Sequence, residues 1–334
     1  MIVQGHVLDA LAGLEDESVQ CVVTSPPYWQ TRAYDGDQET VWTPPGSREC
    51  KHDWRAVTTC ARGGVNRPDN PPLEGHLEET NLRGEETVTH TCVLCGAWRG
   101  PLGLEPSSWL YARHIAWVAW ALHRVLSDDG VLWLNIADSY VGKGYDRHEK
   151  ELALIPEAVI LRLCGPHRAP EEPRWIKRAD VTWAKGLSLC SYYDGRCKPE
   201  PATDRPTRAS ERVFLLTKQP HYKWNKQGGS EPARTRGWRN LRDVWVIPPN
   251  FRGGHPAAFP EELARQCLLC ATEPGDTVLD PFCGSGTVGQ ACLALDRKFI
   301  GIDIAESYVR LAIKRLRYEG GQADLTTINR ERRD

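Results

Sequence analysis

Three groups of residues in this chain have types and spacings that could do chemistry. Residues 20–29 read QCVVTSPPYW. A strand ending at Thr24 would carry Ser25-Pro26-Pro27-Tyr28 at its tip. Two consecutive prolines fix φ and remove two N–H donors. Their carbonyls are left as acceptors with nothing local to bond, Ser25 adds a hydroxyl, and Tyr28 adds a stacking face. The product is a rigid acceptor pair beside an aromatic plate. Near the other end, residues 276–289 read DTVLDPFCGSGTVG, and Gly284, Gly286 and Gly289 fit G-x-G-x-x-G. A strand into Asp280, a tight turn and a helix from Thr287 would bring backbone N–H groups to a carboxylate or phosphate. A following strand ends in Asp303, an acid suited to the two hydroxyls of a ribose. The third group is Cys50-Lys51-His52 with Cys92-Val93-Leu94-Cys95-Gly96. Together they offer three sulfurs and one nitrogen, a closed tetrahedral set suited to structural zinc. Cys60 and His90 are reserve ligands. Cys267 and Cys270 also read Cys-x-x-Cys, but they lie among apolar residues at helical spacing and read as core. Cys283 reads as a small residue of the glycine loop.

Short apolar runs at Val19–Thr24, 131–136, 179–183, 213–217, 277–280 and 299–302 read as buried strands of a mostly parallel sheet. Helical patterns lie between them, at 109–126, 152–163, 260–270 and 307–316. This alternation implies a layered α/β fold. Residues 43–106 break the rhythm. They are rich in Pro, Gly, Glu and Thr, hold four of the Cys, and read as a zinc-ribbon-like insertion into a catalytic domain formed by 1–42 and 107–334. A metal would keep so polar a stretch ordered without a core.

The chain has 334 residues, 12 Cys and a formal net charge of −2. No apolar stretch is long enough to span a bilayer, and the acidic N-terminus does not read as a secretory signal. A cytoplasmic, reducing setting is expected, with the Cys as thiols or metal ligands rather than disulfides. The charge is unevenly spread. Residues 1–42 carry seven acids against Arg32, and residues 205–242 carry ten basic residues against two acids, a net +8. Tyr222, Trp224 and Trp238 are interleaved with those cations, a pattern suited to a polyanion with bases. The 205–250 segment is therefore a candidate nucleic-acid contact.

The glycine loop alone leaves a dinucleotide and S-adenosylmethionine both open. Its late position argues against a nicotinamide domain, because 45 residues follow Gly289, room for about two more elements. TSPPYW and DPFCGSGT together resemble the amino-methyltransferases that act on the exocyclic nitrogen of cytosine or adenine in DNA. The order, Pro-Pro tip first and glycine loop late, is similar to their β-type permuted arrangement. Trp183-Ala184-Lys185, the 204–218 and 239–245 stretches, His255-Pro256-Ala257-Ala258-Phe259-Pro260 and Gly301-Ile302-Asp303 fit as well. The resemblance covers nearly everything except 43–106.

It implies a Rossmann-like methyltransferase fold with a seven-stranded sheet and helices on both faces. It implies S-adenosylmethionine held by Asp280, Phe282, Gly284, Gly286, Thr287, Asp303 and Phe259. His6 would stand where the family often has an acid beside the cofactor's adenine. Ser25, Pro26, Pro27 and Tyr28 would be the catalytic tip, acting on a base flipped out of double-stranded DNA. C5-cytosine chemistry would need a Pro-Cys nucleophile, which the chain lacks. Ser at the first motif position leans toward N4-cytosine, with N6-adenine the alternative. A nicotinamide dehydrogenase and a non-catalytic zinc-ribbon DNA-binding protein are the more distant rivals. A cognate restriction endonuclease is a candidate partner, and monomer and homodimer both stay open.

Overall fold

The computed structural model describes residues 1–30, 40–44, 49–60, 86–142, 148, 150–166, 172–189, 192–195, 203–233, 237–249, 260–318 and 325–327. The chain divides into two compact units, one made of Met1–Pro26, Trp120–Ala137 and Pro170–Asp334, the other of Pro27–Ala119 and Asp138–Ala169. Among the described residues no helix is long and apolar enough to cross a membrane.

The first unit is built on a nine-stranded mixed sheet. In spatial order its strands are Val244–Val246, Ile176–Ala184, Ser210–Thr217, Leu126–Ile136, Val19–Thr24, Thr277–Asp280, Lys298–Asp303, Ile2–Gln4 and Leu325–Thr327. Ser210–Thr217 runs antiparallel to both its neighbours, and the remaining pairings are parallel. Against the seven strands expected there are nine, of which six hold the apolar runs read from the sequence. The other three, Ile2–Gln4, Val244–Val246 and Leu325–Thr327, are three residues each, too short for an apolar run to announce them.

The sheet forms because its strands are apolar on both faces. Val19, Cys21, Val22, Val23 and Thr24 are all buried, as are Val131 through Ile136 and Val278 through Asp280. The helices Glu261–Ala271, Thr287–Ala294 and Glu306–Tyr318 bury Leu263, Cys267, Leu268, Val288, Ala291, Cys292, Val309, Ala312 and Leu316 in one core with Val23, Trp133, Val213 and Trp245. Cys267 and Cys270 belong to that core, as their helical spacing implied. The strands Ile2–Gln4, Val19–Thr24, Leu126–Ile136, Thr277–Asp280 and Lys298–Asp303 end along one edge of the sheet. In open α/β sheets that edge is where ligands bind.

The second unit holds a four-stranded antiparallel sheet in the order Thr40–Trp42, Trp98–Gly100, Glu86–Cys92, Trp54–Cys60. The described part of the polar 43–106 stretch packs on residues from either side of it. Trp42 and Trp98 are buried against His114 of the helix Ser108–Val125, with ring centroids 5.0 and 5.3 Å from its imidazole. A few large rings in place of apolar runs make this core, so hydrophobic patterning passes over it.

Candidate active site

The carboxyl ends of the central strands bring the glycine loop together. Thr24 Oγ1 donates to Asp280 Oδ1 at 2.7 Å across 256 residues of sequence. The same oxygen accepts the Phe282 N–H at 3.1 Å. Asp303 works from the next strand: Oδ2 accepts the Gly284 N–H and Oδ1 the Ala305 N–H, both at 2.9 Å. The two acids that sequence reasoning reserved for a ligand therefore also shape the loop. The turn closes with Gly286 N–H on the Cys283 carbonyl at 2.8 Å. Gly286 has φ +82 and caps the helix that begins at Thr287, a conformation that favours glycine. At Gly289 a Cβ would fall 2.8 Å from the Phe299 ring, so this glycine serves helix-to-strand packing rather than ligand access.

Burial dominates the electrostatics of this edge. It raises the Asp280 carboxyl to about 7, against the lowering pull of its Thr24 and Phe282 hydrogen bonds. It raises Asp303 to about 6 against its backbone N–H partners. Among the described residues no cationic side chain pairs with either acid. Burial and the two carboxylates also push the Cys283 thiol far up, which leaves it a packing residue and no nucleophile.

Two more sequence-predicted residues lie at this edge. Gly5 N–H donates to the Asp303 carbonyl at 3.0 Å, which places half-buried His6 beside the same strand end, where it caps the helix Val7–Ala12. Ser25 and Pro26 follow Thr24 directly, Ser25 half-buried and Pro26 buried. Phe259 and the 255–259 motif lie outside the described residues.

The second unit begins at Pro27, and a polar scaffold holds this half of the tip. The Pro27 carbonyl accepts the Tyr111 hydroxyl at 2.8 Å. It is therefore not left without a local donor, as the sequence suggested. Buried Trp29 donates its indole N–H to the Glu105 carbonyl at 2.9 Å and accepts from Ser139 Oγ at 2.8 Å through its own carbonyl. Gln30 N–H reaches the Gly103 carbonyl at 2.7 Å. Gly103 has φ +98, and a Cβ there would sit 3.0 Å from the Tyr28 carbonyl. The anchor beneath is Glu105, fully buried with His114. Its carboxylate takes the Gly103 N–H and His114 Nδ1, each at 2.8 Å. Burial lowers the His114 pKa although Glu105 pulls it upward, so a neutral imidazole donates here. Sequence reasoning named none of Gly103, Glu105, Tyr111 and His114. The signal it had was a Tyr and a His three residues apart on an otherwise apolar helix face.

The Cys/His residues also converge within the second unit. The ligand atoms of Cys50, His52, Cys92 and Cys95 all lie within 4.8 Å of one another.

The basic stretch is less available than its charge suggested. Arg212 pairs with Asp180 at 2.8 Å, Lys218 with Asp128 at 3.0 Å, Lys223 with Asp276 at 2.8 Å and Arg239 with Glu231 at 2.8 Å. Arg234 and Arg236 lie outside the described residues.

Comparison with known proteins fits this architecture. The N6_N4_Mtase model, described as DNA methylase, matches residues 19–314. The Type II methyltransferase M.Cfr9I of Citrobacter freundii is 32% identical over 332 residues, covering 95% of this chain and 87% of that protein. Among solved structures, the PvuII DNA methyltransferase (cytosine-N4-specific) superposes with a TM-score of 0.58 at 18% identity, covering 94% of this chain and 85% of that one. A putative DNA modification methylase from Thermus thermophilus, complexed with S-adenosyl-L-methionine, gives 0.56 at 19% identity, covering 98% and 99%. With the Pro-Pro tip, the glycine loop and the strand edge that positions them, the match over most of its length makes this chain a member of the N6/N4 family of S-adenosylmethionine-dependent DNA methyltransferases.

Proposed function

We propose that this chain methylates the exocyclic N4 of cytosine in double-stranded DNA, on a base extruded from the helix. The observation that carries the reading is Ser25, first residue of the tip, set directly after a Thr24 whose hydroxyl is tied to Asp280 at 2.7 Å. An exocyclic amine is a poor nucleophile because its lone pair is conjugated into the ring. Acceptors that take both amine hydrogens favour a pyramidal nitrogen with a directed lone pair. Ser25 Oγ and the Pro26 carbonyl take those roles, and Tyr28 stacks on the extruded base. Pro27 fixes the backbone that aims them.

The donor side uses the same strand edge. S-adenosylmethionine supplies an electrophilic methyl on a sulfonium. The buried acids Asp280 and Asp303, which lack a cationic side-chain partner among the described residues, suit a cofactor with net positive charge. Asp303 would hold the ribose and His6 would stand at the adenine, with Phe282, Gly284, Gly286 and Thr287 as the loop residues around the cofactor. Alignment and electrostatics then supply the acceleration, and no covalent nucleophile is needed. The Type II relatives favour a restriction endonuclease of the same specificity as partner.

Incubating the protein with duplex DNA and S-adenosylmethionine, followed by digestion and mass spectrometry, is expected to give N4-methylcytosine. N6-methyladenine would transfer the reading to the adenine branch, and no methylated base would end it. In the same assay Ser25→Ala is expected to lower the single-turnover rate about tenfold, the worth of one hydrogen bond. An unchanged rate would remove Ser25 from the site.

A further inference from the structure

We propose that Cys50, His52, Cys92 and Cys95 bind a structural zinc ion that closes the open end of the antiparallel sheet in the second unit. The four ligand atoms lie within 4.8 Å of one another. A tetrahedral zinc with Zn–S about 2.3 Å and Zn–N about 2.05 Å has S···S edges of about 3.8 Å and S···N edges of about 3.5 Å. The structure gives 3.9 Å from Cys50 Sγ to Cys92 Sγ and 3.4 Å from Cys95 Sγ to His52 Nδ1. These two separations match the corresponding edges of a coordination tetrahedron, and the sulfur pair is far outside the roughly 2.05 Å of a disulfide.

The backbone is already arranged for a metal. Trp54 pairs with Cys92 in the hairpin of Trp54–Cys60 and Glu86–Cys92, so the segment carrying Cys50 and His52 arrives beside the turn carrying Cys92 and Cys95. Val93 N–H donates to the Asp53 carbonyl at 2.9 Å and ties the two ligand segments together. Cys92 N–H bonds the Ala97 carbonyl at 2.7 Å, and Gly96 N–H bonds the Cys92 carbonyl at 3.0 Å, folding the Cys-x-x-Cys-Gly turn into a knuckle. Gly96 has φ +71 with open space around it, as that turn requires. The His52 ring lies 4.6 Å from the Trp54 ring, which fixes its orientation.

The reserve ligands fall away. Cys60 pairs with Glu86 at the far end of the hairpin, six residues or about 20 Å from the Trp54–Cys92 end. His90 Nδ1 is 3.4 Å from an Arg99 guanidinium nitrogen and does not belong to the cluster. Four protein ligands leave no open position for substrate, so the metal's work is structural. The choice of zinc follows from a thiolate-rich N/S set of tetrahedral shape.

The experiment measures metal in the intact protein, purified without added chelator. One equivalent of zinc per chain is expected by elemental analysis, and replacement by cobalt(II) should give the absorption of a tetrahedral thiolate site. Cys92→Ser and Cys50→Ser should lower zinc content at least tenfold, while Cys164→Ser keeps it. Folded wild-type protein from zinc-supplemented growth carrying less than about a tenth of an equivalent would overturn the proposal. So would a cobalt spectrum without thiolate charge transfer. Both wild-type readouts stand even if the variants fail to fold.

Discussion

Asp280→Asn is expected to weaken S-adenosylmethionine binding about 100-fold and, at the same time, to make the cofactor-free protein more stable at pH 8. The carboxyl is buried, and its pKa rises from 3.8 to about 7. A group that holds its proton more tightly when folded than when unfolded releases it on unfolding. Stability must then fall as pH rises from about 4 to about 7, and level off above. At about 1.4 kcal/mol per tenfold, the ionised form costs roughly 4 kcal/mol at pH 8. Asparagine keeps the oxygen that accepts Thr24 Oγ1 and Phe282 N–H, but it carries no charge. Its extra N–H₂ must find a partner, which offsets about 1–3 kcal/mol, leaving a net gain of about 2 kcal/mol at pH 8 and none at pH 5. Urea denaturation of both proteins at the two pH values reads this directly. A variant less stable than wild type at pH 8 would mean that the charge stabilises the fold. For the same reason, wild-type affinity for the cationic cofactor should drop as pH falls below about 7, where Asp280 takes up its proton, and drop again near 6, where Asp303 does.

The second large effect lies in the other unit. Glu105→Ala should cost about 3–5 kcal/mol in urea denaturation. It removes the acceptor of two buried donors, Gly103 N–H and His114 Nδ1–H, at about 1–3 kcal/mol each, and leaves a hole beside them. Glu105→Gln keeps the volume and one acceptor oxygen but turns a donor toward the second partner, so a loss of about half that size is expected. The smaller loss is expected to leave the glutamine variant folded, so that it can be assayed. Its single-turnover methyl transfer should slow while cofactor affinity, which the proposed site assigns to the other unit, stays as in wild type. If both rate and affinity fell together, or neither changed, Glu105 would be holding the core rather than the Tyr28 backbone.

What could be read from the residues followed the range of their partners. Val19–Thr24 and Thr277–Asp280 were legible to the residue because a strand buried on both faces is a continuous apolar run ended by polar or turn-forming residues. The helix Glu261–Ala271 was legible because one face is apolar. The three-residue strand Ile2–Gln4 was not, since its membership of the sheet depends on pairing with Lys298–Asp303 almost 300 residues away. The site shows the same division. The tip and the glycine loop are local strings, and the family resemblance could be read from them directly. Thr24 stood inside one of those strings, yet its role appears once Asp280 is beside it. Glu105 and His114 looked like an acid near a helix start and a polar interruption of a helix face. What makes them a support is that each is the other's partner in a place without water. The basic stretch divides in the opposite sense. A count of charges cannot register that Asp128, Asp180 and Asp276 come in from elsewhere to pair with three of its cations. Salt dependence of DNA binding should accordingly be shallower than a net +8 suggests.

The cysteines sealed in the first unit make the protein its own clock. Cys21, Cys267, Cys270, Cys283 and Cys292 are at most 5% exposed, and burial raises every one of these thiols. Alkylating reagents attack thiolates, and at neutral pH these sulfurs offer almost none. A label can enter when the core opens and not before. The rate at which label accumulates on these five positions is thus a stopwatch on the unfolding of the main sheet, readable by peptide mass mapping in a crude lysate and without any engineered probe.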